Sequence, residues 1–398
     1  MRSILLALAF AISVSSSALA QQSPLLAPTG PYAVGRTLFN WVDETRVDLL
    51  SPKGYREIPV WVWYPASPAS DAQKAEWLPG AWGDIFAAII APRPTPGQPA
   101  PQSEKYPIAT IRSHSYADAP VSSAQQKYPI LVFAPGYGSG PTEYAGVIED
   151  VVSHGYIVAG IVPTYFSLYT VFSDGRVVGQ YQSARDVPGA PRSSSDRGPV
   201  SEPVYRLWTG DMRFTLNQLE KLNTDPKSPL KGRFDFDRVG AFGHSIGATA
   251  TAQVAKDDPR VRAAILIDGN IMGDVASNPI VPKPLLLMSA SSFKGRDRAT
   301  WPNRAISAEV NALLRNAKPS TVITIAGTTH SFPADTGLMP FAKDWQGQSA
   351  NPSRAMTITR AYIKAFFDQH LLGKDSSLLN GQAPEYPEVT FENAIERK

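Results

Sequence analysis

Arg238-Val239-Gly240-Ala241-Phe242-Gly243-His244-Ser245-Ile246-Gly247-Ala248-Thr249-Ala250-Thr251-Ala252 is the stretch on which the reading of this chain turns. Its first five residues form a short apolar run of strand type, and Ala248 to Ala255 form a run of small side chains suited to a tightly packed helix. Between them lies a Gly-x-Ser-x-Gly pattern. A chain that passes from strand to helix in so few residues turns sharply, and Gly243 and Gly247 remove the side chains that would collide there. The pattern predicts a serine at the tip of a strand–turn–helix elbow, a placement that suits a nucleophile.

Outward from the elbow, strand-like and helix-like segments alternate. Tyr128 to Ala134 is an apolar strand that runs into Pro135-Gly136-Tyr137-Gly138-Ser139-Gly140; a helix over about 142–153 and a strand over Tyr156 to Val162 follow. Strand, helix, strand implies a parallel pair. A helix from Tyr205 to Leu222 precedes the elbow strand. Three further strands are expected after it, at Ala263 to Ile267, Pro284 to Met288 and Thr321 to Ile325. A helix over Ser353 to Leu372, with Ile363, Phe366, Phe367 and Leu371 at helical spacing, closes the domain. Near the start, the alternation around Ile58 to Tyr64 predicts antiparallel strands joined at Ser51-Pro52-Lys53-Gly54. The expected class is α/β, with a mostly parallel central sheet flanked by helices and insertions forming a cap or lid. The insertions are placed at about 66–127, which contains the apolar island Trp77 to Ile90, and at about 167–204, read as a long loop or lid.

Composition narrows the function classes. Residues 1–20 combine Arg2, an apolar stretch from Ile4 to Ile12 and a closing Ala18-Leu19-Ala20, the pattern of a cleaved export signal, so the mature chain is expected to begin at Gln21, secreted or periplasmic. No later segment is long and apolar enough to suggest a membrane span. The remainder is read as one elaborated domain, 21–398. With 38 basic and 35 acidic side chains scattered along the chain, nothing resembles a nucleic-acid footprint. The absence of cysteine excludes disulfides, thiolate metal sites and a cysteine nucleophile. No ligand cluster suggests a metal, and no cofactor is expected.

A serine hydroxyl needs a base to take its proton and a carboxylate to orient that base, here in the chain order serine, acid, histidine. The chain has five histidines. His114 and His154 precede the elbow, His244 lies inside it and is expected to point elsewhere, and His370 on the terminal helix is expected to pack or face solvent. His330 remains, on the loop after the strand Thr321 to Ile325, at the carboxyl end of the sheet. The expected acid is Asp268, at the carboxyl end of Ala263 to Ile267; Asp257 and Asp258 read as turn or cap residues and Asp335 as a loop-fixing partner. The oxyanion needs two backbone donors, for which the amides of Ile246 and Tyr137 are in the right places.

Taken with Pro28 to Gly35, Tyr128 to Gly138, Ser153 to Ala159 and His330-Ser331-Phe332-Pro333-Ala334-Asp335, the elbow resembles the plasma-type platelet-activating-factor acetylhydrolases and their bacterial relatives, serine esterases of the α/β-hydrolase fold. The resemblance spans most of the mature chain. It implies the same nucleophile, base and acid, with the acid on the strand directly after the elbow helix, which supports Asp268. The chain departs from the family in having Pro135-Gly136 where His-Gly is common, Ala248 where a second glycine is common, and no charged residues of the usual kind after Val162. The implied activity is hydrolysis of short- to medium-chain acyl esters, including phospholipid sn-2 acetyl-type esters, through an acyl-enzyme on Ser245. The alternatives are an extracellular lipase or polyester depolymerase with cutinase-like activity, and a non-catalytic binding protein on a hydrolase scaffold. Expected partners are small-molecule or lipid esters and a transient contact with a lipid or polymer surface. For Trp77, Trp82, Ile85 and Phe86 two readings stand: a surface that meets lipid, or an insertion packed onto the domain.

Overall fold

The structure, a computed structural model, describes residues 23–48, 50–91, 107–180, 201–293, 296–297, 308–342 and 349–392. The expected export segment and the middles of both expected insertions, 92–106 and 181–200, lie outside the described residues.

The leading strands β1 (Ala33–Val47) and β2 (Tyr55–Ala66) run antiparallel on either side of the Ser51 to Gly54 turn, with Ala33 opposite Ala66. The short β3 (Ser115–Ala117) lies parallel to β1. Next come β4 (Tyr128–Ala134), β5 (Ile157–Ile161), the hairpin β6 (Tyr169–Val171) and β7 (Val177–Gly179), and the elbow strand β8 (Phe234–His244). After the elbow follow β9 (Val261–Ile267), β10 (Leu285–Ala290), the two-residue strands β11 (Ser292–Phe293) and β12 (Arg296–Asp297), then β13 (Ser320–Ile325) and β14 (Val389–Phe391). Among the described residues ten of these form one sheet, ordered β14-β13-β10-β9-β8-β4-β5-β2-β1-β3. Its centre, from β13 through β10, β9, β8 and β4 to β5, is parallel throughout. Strands covered on both faces carry continuous apolar runs, and Ile130, Leu131, Val132 and Phe133 are all buried.

Side chains of a strand alternate between faces, so each central strand feeds two cores. Leu131, Phe133, Phe242 and Ile265 face α2 (Ala145–Ser153) and α7 (Pro352–Leu372), and α1 (Ala81–Ile90) joins the same cluster. Ile130, Val132, Ala241 and Ala264 face α3 (Ser201–Thr224), α4 (Ile246–Asp257) and α6 (Ala308–Asn316), with the short α5 (Asp274–Ser277) beside α4. Helix α7 starts where Asn351 accepts a hydrogen bond from the Arg354 amide and Pro352 fills the first turn, and it stops at Gly373 in the left-handed region. The α/β-hydrolase architecture expected from the sequence is present.

The structure decides between the two readings of the island and corrects one expectation about the second insertion. The apolar island is not an exposed lipid face: Trp77, Trp82 and Phe86 are buried, with Trp77 and Phe86 in edge contact and Phe86 against Phe341. Only Ile85 of the four is half-buried. The island's apolar area is used inside the domain, as the packed-insertion reading had it. The 167–204 segment is not structureless either, because its described part contains the β6–β7 hairpin, and α3 begins at Ser201 rather than near Tyr205.

Candidate active site

At the end of β8 the chain turns at Ser245, whose φ of 56° and ψ of −120° are rare for a residue with a side chain. The turn is held by Ser245 N–H donating to Ile267 O at 2.9 Å. Its tightness explains the glycines. A Cβ on Gly243 would lie 2.4 Å from Gly247 O, and one on Gly247 would lie 2.3 Å from Ala134 O. The departure at Ala248 has a local answer: a Cβ on Gly269 would be 2.4 Å from the Ala248 methyl, so Gly269 leaves the room that this methyl fills.

Asp268 follows β9 and His330 follows β13, so both project from the edge of the sheet where Ser245 sits. His330 Nε2 lies 3.0 Å from Ser245 Oγ, and His330 Nδ1 lies 2.6 Å from Asp268 Oδ2. The carboxylate fixes the tautomer: Nδ1–H donates to Asp268, which leaves Nε2 to accept from the serine hydroxyl. The Asp268 side chain is fully buried, and its Oδ1 accepts from the Ala290 amide at 3.0 Å. His330 is 30 % exposed, which leaves room for a substrate above it. The three residues selected from the sequence are thus brought together in hydrogen-bond sequence.

Among the described residues, the Tyr137 and Ile246 amides donate to no protein acceptor. Ile246 N–H opens α4, where the helix leaves its first amides unpaired. Tyr137 lies in the turn after β4, which is anchored by Gly138 N–H to Phe166 O at 2.9 Å and Ser139 N–H to Gly136 O at 3.1 Å. The Tyr137 side chain is 45 % exposed, and its ring centroid is 6.4 Å from that of Phe166.

The residue whose part in the site sequence reasoning missed is His244. It points away from Ser245, as expected, but stays within the site: its ring is buried, its centroid is 4.6 Å from that of His330, and its Nε2 is 2.8 Å from the His330 carbonyl oxygen. Burial, and next the neighbouring His330, lower its pKa to about 3, so it is neutral at neutral pH. A strand residue just before a half-buried serine points to the opposite side, and that side here is the back of the site; the alternation of β8 carried the signal. Asp335 holds the loop after His330, as expected: its carboxylate accepts from Gly146 N–H at 2.9 Å and from Trp77 Nε1–H at 3.3 Å. The other histidines stay out of the site, with His114 near Leu25 O, His154 near Thr29 Oγ1 and His370 against Phe366. Among the described residues no group of three or more His, Asp or Glu is placed to hold a metal.

This geometry has a counterpart in known proteins. The family model of platelet-activating factor acetylhydrolase, isoform II, matches residues 17–163 and 215–383, taking in the Pro135 to Gly140 turn, the elbow, Asp268 and His330. The chain belongs to this family. The unmatched interval, 164–214, contains the β6–β7 hairpin and the first part of α3. A probable 1-alkyl-2-acetylglycerophosphocholine esterase from Arthroderma benhamiae is 25 % identical over 282 residues, covering 66 % of each chain. The platelet-activating factor acetylhydrolase of Cavia porcellus is 23 % identical over 317 residues, covering 76 % of this chain and 66 % of its own length. That of Canis lupus familiaris is matched over 49 % of its length, so the chain spans about half to two thirds of these relatives. In structure, a ferulic acid esterase from Streptomyces cinnamoneus superposes with a TM-score of 0.73 at 26 % identity, over 93 % of this chain and 99 % of that one.

Proposed function

We propose that this family member is a carboxylic ester hydrolase with Ser245 as nucleophile, His330 as general base and Asp268 as the acid that orients it. The single observation that carries the reading is the unbroken Ser245–His330–Asp268 chain of hydrogen bonds at 3.0 and 2.6 Å. His330 Nε2 takes the hydroxyl proton as Oγ bonds the ester carbonyl carbon, and the oxyanion so formed accepts from the Tyr137 and Ile246 amides. Collapse expels the alcohol, which leaves with the proton from His330. Water then attacks the acyl-enzyme, again giving its proton to His330, and the acid departs as Ser245 recovers its own.

The proposed substrates are short- to medium-chain acyl esters, with the sn-2 acetyl esters named for the relatives within the range. A second reading, esters with bulky or aromatic acyl groups or polymers, is favoured by the exposed Tyr137 and the 39 % exposed Leu168 at the rim, and by the ferulic acid esterase neighbour. We also propose export after residue 20, to be checked by the N-terminal sequence of the protein recovered outside the cytoplasm. The test of the reaction is hydrolysis of p-nitrophenyl esters from acetate to palmitate, with methyl ferulate alongside, by the wild type and Ser245→Ala. Cleavage of short esters by the wild type alone supports the first reading; a preference for ferulate selects the second. Equal inactivity of both proteins removes the hydrolase proposal and leaves a binding protein on this scaffold.

A further inference from the structure

Behind the serine, three separately anchored pieces of chain meet at one side chain. Gly136 N–H, in the turn after β4, donates to Tyr144 Oη at 3.0 Å. Tyr144 Oη lies 2.8 Å from His244 Nδ1, and His244 Nε2 lies 2.8 Å from the His330 carbonyl oxygen. A carbonyl can only accept, so Nε2 carries the ring hydrogen; in a neutral imidazole Nδ1 is then the acceptor, and Tyr144 must donate to it. Each polar atom along the path is satisfied, and the direction of every bond is fixed. Both side chains are buried, and Tyr144 is wedged against Phe133 with ring centroids 5.0 Å apart. Gly136 is part of the fit, since a Cβ there would lie 2.9 Å from His244 Nδ1.

We infer that His244 is a positioning residue that, through a single tautomer, ties the oxyanion turn to the loop carrying His330. The inference rests on the reading of Ser245 as nucleophile. The Gly136 N–H bond anchors the turn on one side of the Gly136 Cα, and on the other Ser139 N–H, donating to Gly136 O at 3.1 Å, holds the peptide whose N–H belongs to Tyr137, the donor assigned to the oxyanion. Anchoring the His330 carbonyl fixes the backbone of the base. The residue before the nucleophile thereby sets, from behind, the two groups the nucleophile needs in front. Its low proton affinity serves the same end, because a second cation beside His330 would oppose the imidazolium formed in the reaction.

The halves of the link can be cut separately. In His244→Gln the amide reaches the Nε2 position and keeps a donor for the His330 carbonyl, but Tyr144 loses its acceptor. In His244→Asn the amide reaches the Nδ1 position and the opposite half survives. Tyr144→Phe removes the hydroxyl alone. Active sites are counted by labelling with a fluorophosphonate probe, and kcat and KM for p-nitrophenyl acetate are taken per labelled site. The expected result for Tyr144→Phe and His244→Gln is a kcat lower by about tenfold to a hundredfold with KM within about twofold, a partial loss of one oxyanion donor. Affinity for a trifluoromethyl ketone, which forms the tetrahedral adduct, falls by the same factor. The double variant is no worse than either single one, because both break the same link.

Unchanged kcat per labelled site in both single variants, or losses that multiply in the double variant, overturn the inference. Should the variants fail to fold, 15N NMR of the wild-type His244 ring decides it: an Nε2–H tautomer that does not titrate between pH 5 and 8 is expected, and the Nδ1–H tautomer overturns it. Failure of the parent reading looks different, since Ser245→Ala would then keep both activity and probe labelling.

Discussion

Ser245 carries the cost of its own usefulness. A φ of 56° costs a residue with a Cβ about 1–3 kcal/mol, and it persists only where the surroundings leave no other choice. Here the Gly247 carbonyl, the Ala134 carbonyl and the Ile267 carbonyl crowd or hold the turn from three sides. Gly247→Ala places a methyl against the fixed backbone oxygens of Ala134 and Pro135, so the turn after β4 has to move. The expected outcome is a loss of about 1–3 kcal/mol in stability and at least about a hundredfold in kcat, read from denaturant melts and ester turnover. Wild-type turnover in that variant would show that the turn tolerates displacement. Asp268→Asn tests the tautomer. An amide opposite His330 can present its NH2 and favour the wrong ring nitrogen, so kcat is expected to fall about ten-thousandfold with KM retained. A loss below about tenfold would mean that another group orients His330.

At the scale of elements, the antiparallel β1–β2 pair is fastened to α3 by buried charge as well as by packing. Arg56 on β2 reaches Asp211 on α3 at 2.7 Å, Asp48 at 3.0 Å and the Thr164 carbonyl at 3.0 Å, and both Arg56 and Asp211 are buried. Removing Asp211 leaves buried Arg56 with Asp48 alone and takes one of two carboxylates from Arg46, so Asp211→Ala is expected to cost roughly 3 kcal/mol, the low end for breaking a buried pair. Urea denaturation measures it, and a cost below about 1 kcal/mol would mean that Arg56 finds water or Asp48 suffices. No sequence pattern announces this pairing, because Arg56 and Asp211 are brought together only by the sheet. The central strands were legible for the opposite reason: continuous apolar runs such as Ile130 to Phe133 admit few other placements. Ser245, His330 and Asp268 were legible as neighbours because motif, chain order and strand ends converge on them. Trp77 and His244 mark the limit. The same apolar island suits a lipid face or a core, and only the positions of Phe341, Thr142 and Asp335 distinguish them; the direction of His244 follows from the alternation of β8, which the turn motif obscures.

At the scale of the whole molecule, Glu143 and His244 are shifted in opposite senses and pull stability in opposite directions as pH changes. Burial pushes the Glu143 carboxyl, beside the turn after β4, from its ordinary 4.5 up to about 7, against the pull of its hydrogen bond from Gly140 N–H. Between those values the native state holds a proton that the unfolded chain has released. Stability from this group is therefore full below about 4.5 and is lost as pH rises through about 7. His244 runs the other way, since its pKa is about 3 when folded against 6.5 ordinarily, so the native state binds fewer protons in that window and gains stability as pH rises. The two slopes oppose each other from about 4.5 to 6.5, and of these two groups only His244 contributes a loss toward acid below that window. Glu143→Gln removes one slope and leaves the other. The difference in melting temperature between Glu143→Gln and the wild type should grow from pH 4.5 to about 7 and then stay level, and taking the difference cancels every other titrating group. A difference that is flat across the whole range would mean that Glu143 is already ionised at pH 5 and that the turn holding Tyr137 is built around a charge.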